Sequence, residues 1–62
     1  MMQEGKYEYK GLSYTMEEIS GEFRFTIPYR NFVSDWYNRS NSDEPEKAAH
    51  KAARWLIDTY VG

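Results

Sequence analysis

The sequence predicts an α+β domain: an antiparallel β-meander of two to three strands with one C-terminal helix packed on one face. Three observations predict it. Apolar and polar residues alternate between Leu12 and Tyr29, a Ser20-Gly21 dipeptide interrupts that alternation, and the last third of the chain carries apolar residues at helical spacing. Sixty-two residues allow one small domain, 1–62, with a single core.

The first candidate strand covers about 6–10, with Tyr7 and Tyr9 on one side. Continued through Gly11, both rings would share the polar face of Ser13 and Thr15. Either Gly11 is a bulge that turns them inward or they form an exposed aromatic pair, and a glycine at the change of pattern favours the bulge. Strands at about 12–19 and 22–29 follow, joined by a two-residue turn at Ser20-Gly21. That turn sets the register. Ile19 pairs with Glu22, Met16 with Phe25 and Tyr14 with Ile27, which makes one face apolar. The other face then sets Glu17 against Arg24 and Thr15 against Thr26. A slip by one residue would lose both matches.

Asn31–Tyr37 reads as a further strand, with Phe32, Ser34 and Trp36 on one face and Val33 and Tyr37 on the other. Asn38–Ser42 is a polar loop. The helix spans about 44–61, with Asp43 as N-cap, Pro45 in the first turn and Glu46 at capping-box spacing from Asp43. Ala48, Ala49, Ala52, Ala53, Leu56, Ile57 and Tyr60 form its apolar face, with Trp55 at the edge. Small alanines let the helix approach the sheet closely, so that rings from the strands fill the gap.

Composition narrows the function classes. There is no cysteine, which excludes disulfides and thiolate metal sites. Six Tyr, three Phe and two Trp must supply the buried area that cystines give other small domains. A net charge of −2 disfavours a surface that wraps nucleic acid or coats an anionic membrane. No run of about 18 apolar residues exists to span a bilayer. MMQEGKYEYK lacks the apolar core of a signal peptide, so the expected compartment is the cytoplasm and the Asn38-Arg39-Ser40 sequon carries no meaning.

Few residues point to chemistry. His50, with Glu46 one turn before and Arg54 one turn after, lacks a nucleophile at any defined spacing; its plainer reading is a solvated helix residue. Lys47, Lys51 and Arg54 form a basic stripe that could contact anions. The plainer reading is a solvated face in which Asp58 pairs with Arg54, and Asp43 or Glu44 with Lys47. Tyr7, Tyr9, Tyr29, Trp36 and Tyr37 are the candidates for an exposed interaction surface. The remaining acids show no metal-loop spacing, no glycine-rich phosphate loop is present, and no cofactor is implied.

The order of strands and helix, with the Gly-containing hairpin, Pro28 and the closing Ala-rich helix, is similar to that of several small bacterial and phage modules, HicB-like antitoxin domains among them. The Pro-Asp-Leu-Pro-Gly segment that marks that family is absent, Pro28 being followed by Tyr29-Arg30-Asn31. The likeness is one of topology, and no family is assigned. The function expected is a small non-enzymatic interaction module, a bacterial or phage accessory protein that binds a protein partner or itself. The alternative is a weak nucleic-acid binder using the helix stripe and exposed tyrosines.

Overall fold

A computed structural model describes residues 3–62. Four strands pair antiparallel in chain order: β1 (Gln3–Tyr9), β2 (Leu12–Ile19), β3 (Glu22–Ile27) and β4 (Phe32–Val33). One helix, α1 (Pro45–Val61), covers one face and packs mainly on β3. The sheet therefore exceeds the two to three strands expected.

The additional strand comes from a second tight hairpin. Lys10 and Gly11 have φ of 51° and 83°, as Ser20 and Gly21 have 50° and 80°. Positive φ at both central positions is the turn whose twist matches antiparallel strands. Gly11 is thus a turn residue and not a bulge. The chain reverses there, so β1 lies beside β2 with Tyr7 opposite Tyr14 and Tyr9 opposite Leu12. Both tyrosines reach the helix side because the parity of a strand does not carry through a reversal. The strand also lies earlier than expected, at 3–9 in place of 6–10.

The second hairpin has the predicted register. Ile19 faces Glu22, Glu17 faces Arg24, Met16 faces Phe25, and Thr15 faces Thr26. The ladder ends one pair short of Tyr14 and Ile27, yet both side chains are buried in one core. On the outer face Arg24 donates through Nε to Glu17 Oε1 at 2.9 Å.

β3 stops at Ile27 and not at Tyr29, since Pro28 opens a 3₁₀ turn over Pro28–Arg30. Asn31, at φ 54°, closes that turn and returns the chain as β4. The segment expected as a strand over 31–37 pairs in two pieces. Val33 faces Thr26, and beyond an interruption Tyr37 faces Phe23. One extra residue sits between these contacts. Ser34 accounts for it: its N–H donates to Phe25 O at 2.9 Å, while its Oγ accepts from Phe25 N at 3.0 Å and donates to Asp35 O. This bulge changes the parity, so that Phe32 and Tyr37 reach the same side although five positions apart.

The core is Tyr14, Met16, Phe25 and Ile27 from the sheet with Ala49, Ala53 and Ile57 from the helix. The two alanines are fully buried at i and i+4, and the space that they leave is filled by strand side chains. Burying Phe25, Ile27 and Ile57 completely contributes about 1.5–3 kcal/mol each. The helix begins one residue later than expected. Glu44, not Asp43, is the N-cap and makes no side-chain cap, because Pro45 occupies the first helical position.

Candidate functional site

Helix α1 has two flanks, and they are built differently. On the β4 flank, Ala48, Ala52 and Leu56 follow one another at i+4 spacing, with Tyr60 one turn further. The alanines are too short to reach the strand connection opposite. A groove of about 240 Å³ therefore opens between Ala52, Trp55 and Leu56 on the helix and Phe32 and Tyr37 on the strands, with Asp35 at its lip. It continues past Ala48, Tyr37, Asn41 and Ser42 towards Lys47 and Lys51. At the other end Tyr60 lies 6.2 Å from Tyr29, and the Arg30 guanidinium sits 5.0 Å from the Tyr60 ring centre and 5.5 Å from that of Tyr29. Trp55 is 65% exposed and Tyr29 60%, a large aromatic area facing water.

The Ser34 hydroxyl is committed to Phe25 and Asp35. The groove lining can receive an apolar side chain and hold it between rings.

The β1 flank is closed by hydrogen bonds. The Tyr14 hydroxyl lies 2.8 Å from His50 Nδ1, deep at the sheet end and half-buried at the helix end. The Tyr7 ring stacks on Tyr14 at 5.5 Å and meets the His50 ring edge-on at 4.7 Å. Burial pushes His50 below its ordinary value of 6.5, against the attraction of Glu46 and with the repulsion of Arg54. Burial likewise raises Tyr14. The neutral imidazole and the Tyr14 hydroxyl share one hydrogen bond, in which the hydroxyl donates when the imidazole proton is on Nε2 and accepts when it is on Nδ1. Further along, Tyr9 donates to Asp58 Oδ2 at 3.3 Å, and Lys10 Nζ lies 2.6 Å from Asp58 Oδ1. The hydrogen bond from Lys10 holds Asp58 below the usual carboxylate range. His50 is therefore not a solvated residue but part of a packed seal.

The five aromatic candidates do not share one surface. Tyr7 and Tyr9 belong to the β1 flank, where Tyr7 remains 43% exposed. Trp36 lies under the Arg24 guanidinium, 4.5 Å from the ring centre. Tyr29 and Tyr37 lie along the β4 flank, and Trp36 also borders the continuation of its groove beside Ala48 and Asn41. The basic stripe is divided too. Lys47 and Lys51 border a depression shared with Asp43 and Glu44, whereas Arg54 leans towards Tyr14. Lys47 is 3.9 Å from Glu44, and the expected pairing of Asp58 with Arg54 is replaced by that with Lys10.

Phe32, Trp55, Leu56 and Tyr60 were not singled out as surface residues by sequence reasoning. Trp55 carried the signal, since it follows Lys51 by one turn on the outward side of an amphipathic helix. Among the described residues no group of His, Asp or Glu converges to hold a metal ion, and no helix is long and apolar enough to cross a membrane. No protein-family model matches the chain, and no curated protein or solved structure matches it.

Proposed function

We propose that this protein is a non-enzymatic interaction module that captures a segment of a partner protein in the groove of its β4 flank. A large apolar side chain of that segment enters between Trp55, Leu56, Phe32 and Tyr37, and an adjacent carboxylate faces Lys51. The exposure of Trp55 beside a ready-made apolar groove is the observation that carries this reading. Supporting it, the Ser34 hydroxyl beneath the groove is already engaged within the fold, accepting from Phe25 N–H and donating to Asp35 O. The nucleic-acid alternative is weaker, because Asp43 and Glu44 stand among the lysines that would meet phosphates.

Selection from a random-peptide display library tests the proposal. Enriched peptides should combine a large apolar residue with a neighbouring Asp or Glu. They should lose binding to Trp55→Ala and bind less to Lys51→Glu, with both variants folded by circular dichroism. Equal enrichment on wild type and Trp55→Ala would overturn the groove reading. Salt-sensitive binding of mixed single-stranded oligonucleotides, with no peptide enriched, would replace it by the nucleic-acid reading.

A further inference from the structure

Helix α1 is not centred on the sheet. It packs mainly on β3, so β1 and β2 lie to one side of it and only the two-residue β4 to the other. The helix flank carrying Ala52, Trp55 and Leu56 has only β4 and its continuation opposite it, and the groove opens there.

The backbone beside this groove is free. Ser34 N–H donates to Phe25 O at 2.9 Å, which makes Ser34 and Phe25 a bonded position of the ladder between β3 and β4. The neighbouring pair, Thr26 and Val33, is then a non-hydrogen-bonded one, and both the N–H and the C=O of Val33 point away from β3. No strand lies on that side, because β4 ends the sheet. The Val33 side chain is 53% exposed and shares the face of Thr26, opposite the helix. It does not obstruct a strand that approaches in the plane of the sheet. The β1 edge also presents backbone, but the helix flank beside it is closed at Tyr14–His50 and Tyr9–Asp58. At β4, free backbone and an open apolar groove coincide.

A strand paired with Val33 has its side-chain directions fixed by that contact. The residue opposite Val33 points away from the helix, as Val33 does. The residues just before and after it point into the groove, beside Phe32 and Ser34. Successive side chains on one face of an extended chain are about 7 Å apart. From Trp55 back to Lys51 the helix descends one turn, about 6 Å. An apolar residue seated beside Trp55 therefore brings the residue two positions away to the level of Lys51.

On the reading that the groove captures a partner segment, we propose that this segment is extended and adds to the sheet as a fifth strand beside β4, hydrogen-bonded to the backbone of Val33. Its apolar and acidic residues stand two positions apart, on the face turned to the helix. One bonded residue is too little to hold a strand by itself, and the Ser34 bulge prevents a longer ladder. The groove supplies the anchor, and Val33 sets the orientation.

Two peptide pools test the spacing. In one, Trp or Leu stands two residues from Glu; in the other it stands four residues from Glu, the helical spacing, with Ser or Thr elsewhere. The tightest peptides of the first pool should bind the wild-type protein about tenfold better than those of the second. Hydrogen exchange followed by NMR reads the backbone contact. With a first-pool peptide at about one hundred times its Kd, the Val33 amide should exchange about a hundredfold more slowly, and that of Lys6 on β1 should not change. Methylating the peptide's backbone nitrogens one at a time should cost about tenfold at one position and little at its neighbours. Val33→Pro deletes the N–H at an edge position that tolerates proline, and should weaken binding about tenfold. A Val33 amide that exchanges equally fast with and without peptide would overturn the fifth strand, as would tighter binding by the second pool. If that binding is still lost in Trp55→Ala, the groove reading stands without the strand. No peptide bound from either pool or from the display library would remove both.

Discussion

The two flanks of the helix use the same sheet and the same alanine spine yet finish in opposite ways. On the β1 side, Tyr14 and Tyr9 end in hydrogen bonds with His50 and Asp58, and the Tyr7 ring packs on Tyr14 and His50. On the β4 side, Phe32, Tyr37, Leu56 and Trp55 bring area without hydrogen-bonding partners, and the gap between them stays open. A hydrogen bond fixes the distance between two elements, whereas apolar contact only rewards closeness. The flank with directional partners is therefore sealed, and the flank without them is left able to admit another side chain.

The comparison can be broken at its shared base first. Ile57 is fully buried beneath both flanks, so Ile57→Ala should destabilise the protein by about 2–5 kcal/mol in urea unfolding. On the β4 side, Ser34→Ala removes the acceptor for Phe25 N–H inside the bulge and should cost about 1–3 kcal/mol by the same measurement. On the β1 side, Tyr14→Phe leaves His50 Nδ1 without its hydrogen-bond partner and should cost about 1 kcal/mol.

A pH series sharpens the contrast. Folded His50 titrates below its ordinary value of 6.5, so the unfolded chain takes up a proton that the folded chain refuses. Stability is then fully present above the unfolded value and is lost as pH falls through the folded one. His50→Gln should remove that slope below the ordinary histidine value of 6.5 in thermal melts, while variants of the β4 flank should retain it. The smallest effect on stability belongs to Trp55→Ala. With the side chain in solvent, the change should be below about 0.5 kcal/mol, although peptide capture is lost.

Much of the fold was legible because periodicity and turn chemistry act locally. The Ser20-Gly21 turn fixed a register that sets Glu17 against Arg24 and Met16 against Phe25. The first hairpin carried the same type of signal in Lys10-Gly11, but a lysine in the left-handed region is less expected than a serine there, and the reversal was read as continuation. At Ser34 the signal was absent. A bulge that uses a hydroxyl in place of a carbonyl leaves no period in the sequence, so the two-sided pattern of Asn31–Tyr37 stayed ambiguous. The candidate surface was legible only in parts, since aromatic residues announce their size and not the side to which a turn or bulge will send them.

Local rules by themselves determined the α+β class, the central hairpin and the inward face of the helix, because strand alternation, tight-turn geometry and helical spacing involve neighbours along the chain. Tertiary structure alone decided which tyrosines find His50 and Asp58, and where the groove beside Trp55 opens. Those outcomes depend on distances between elements remote in sequence, set by how closely two small alanines let a helix approach a sheet.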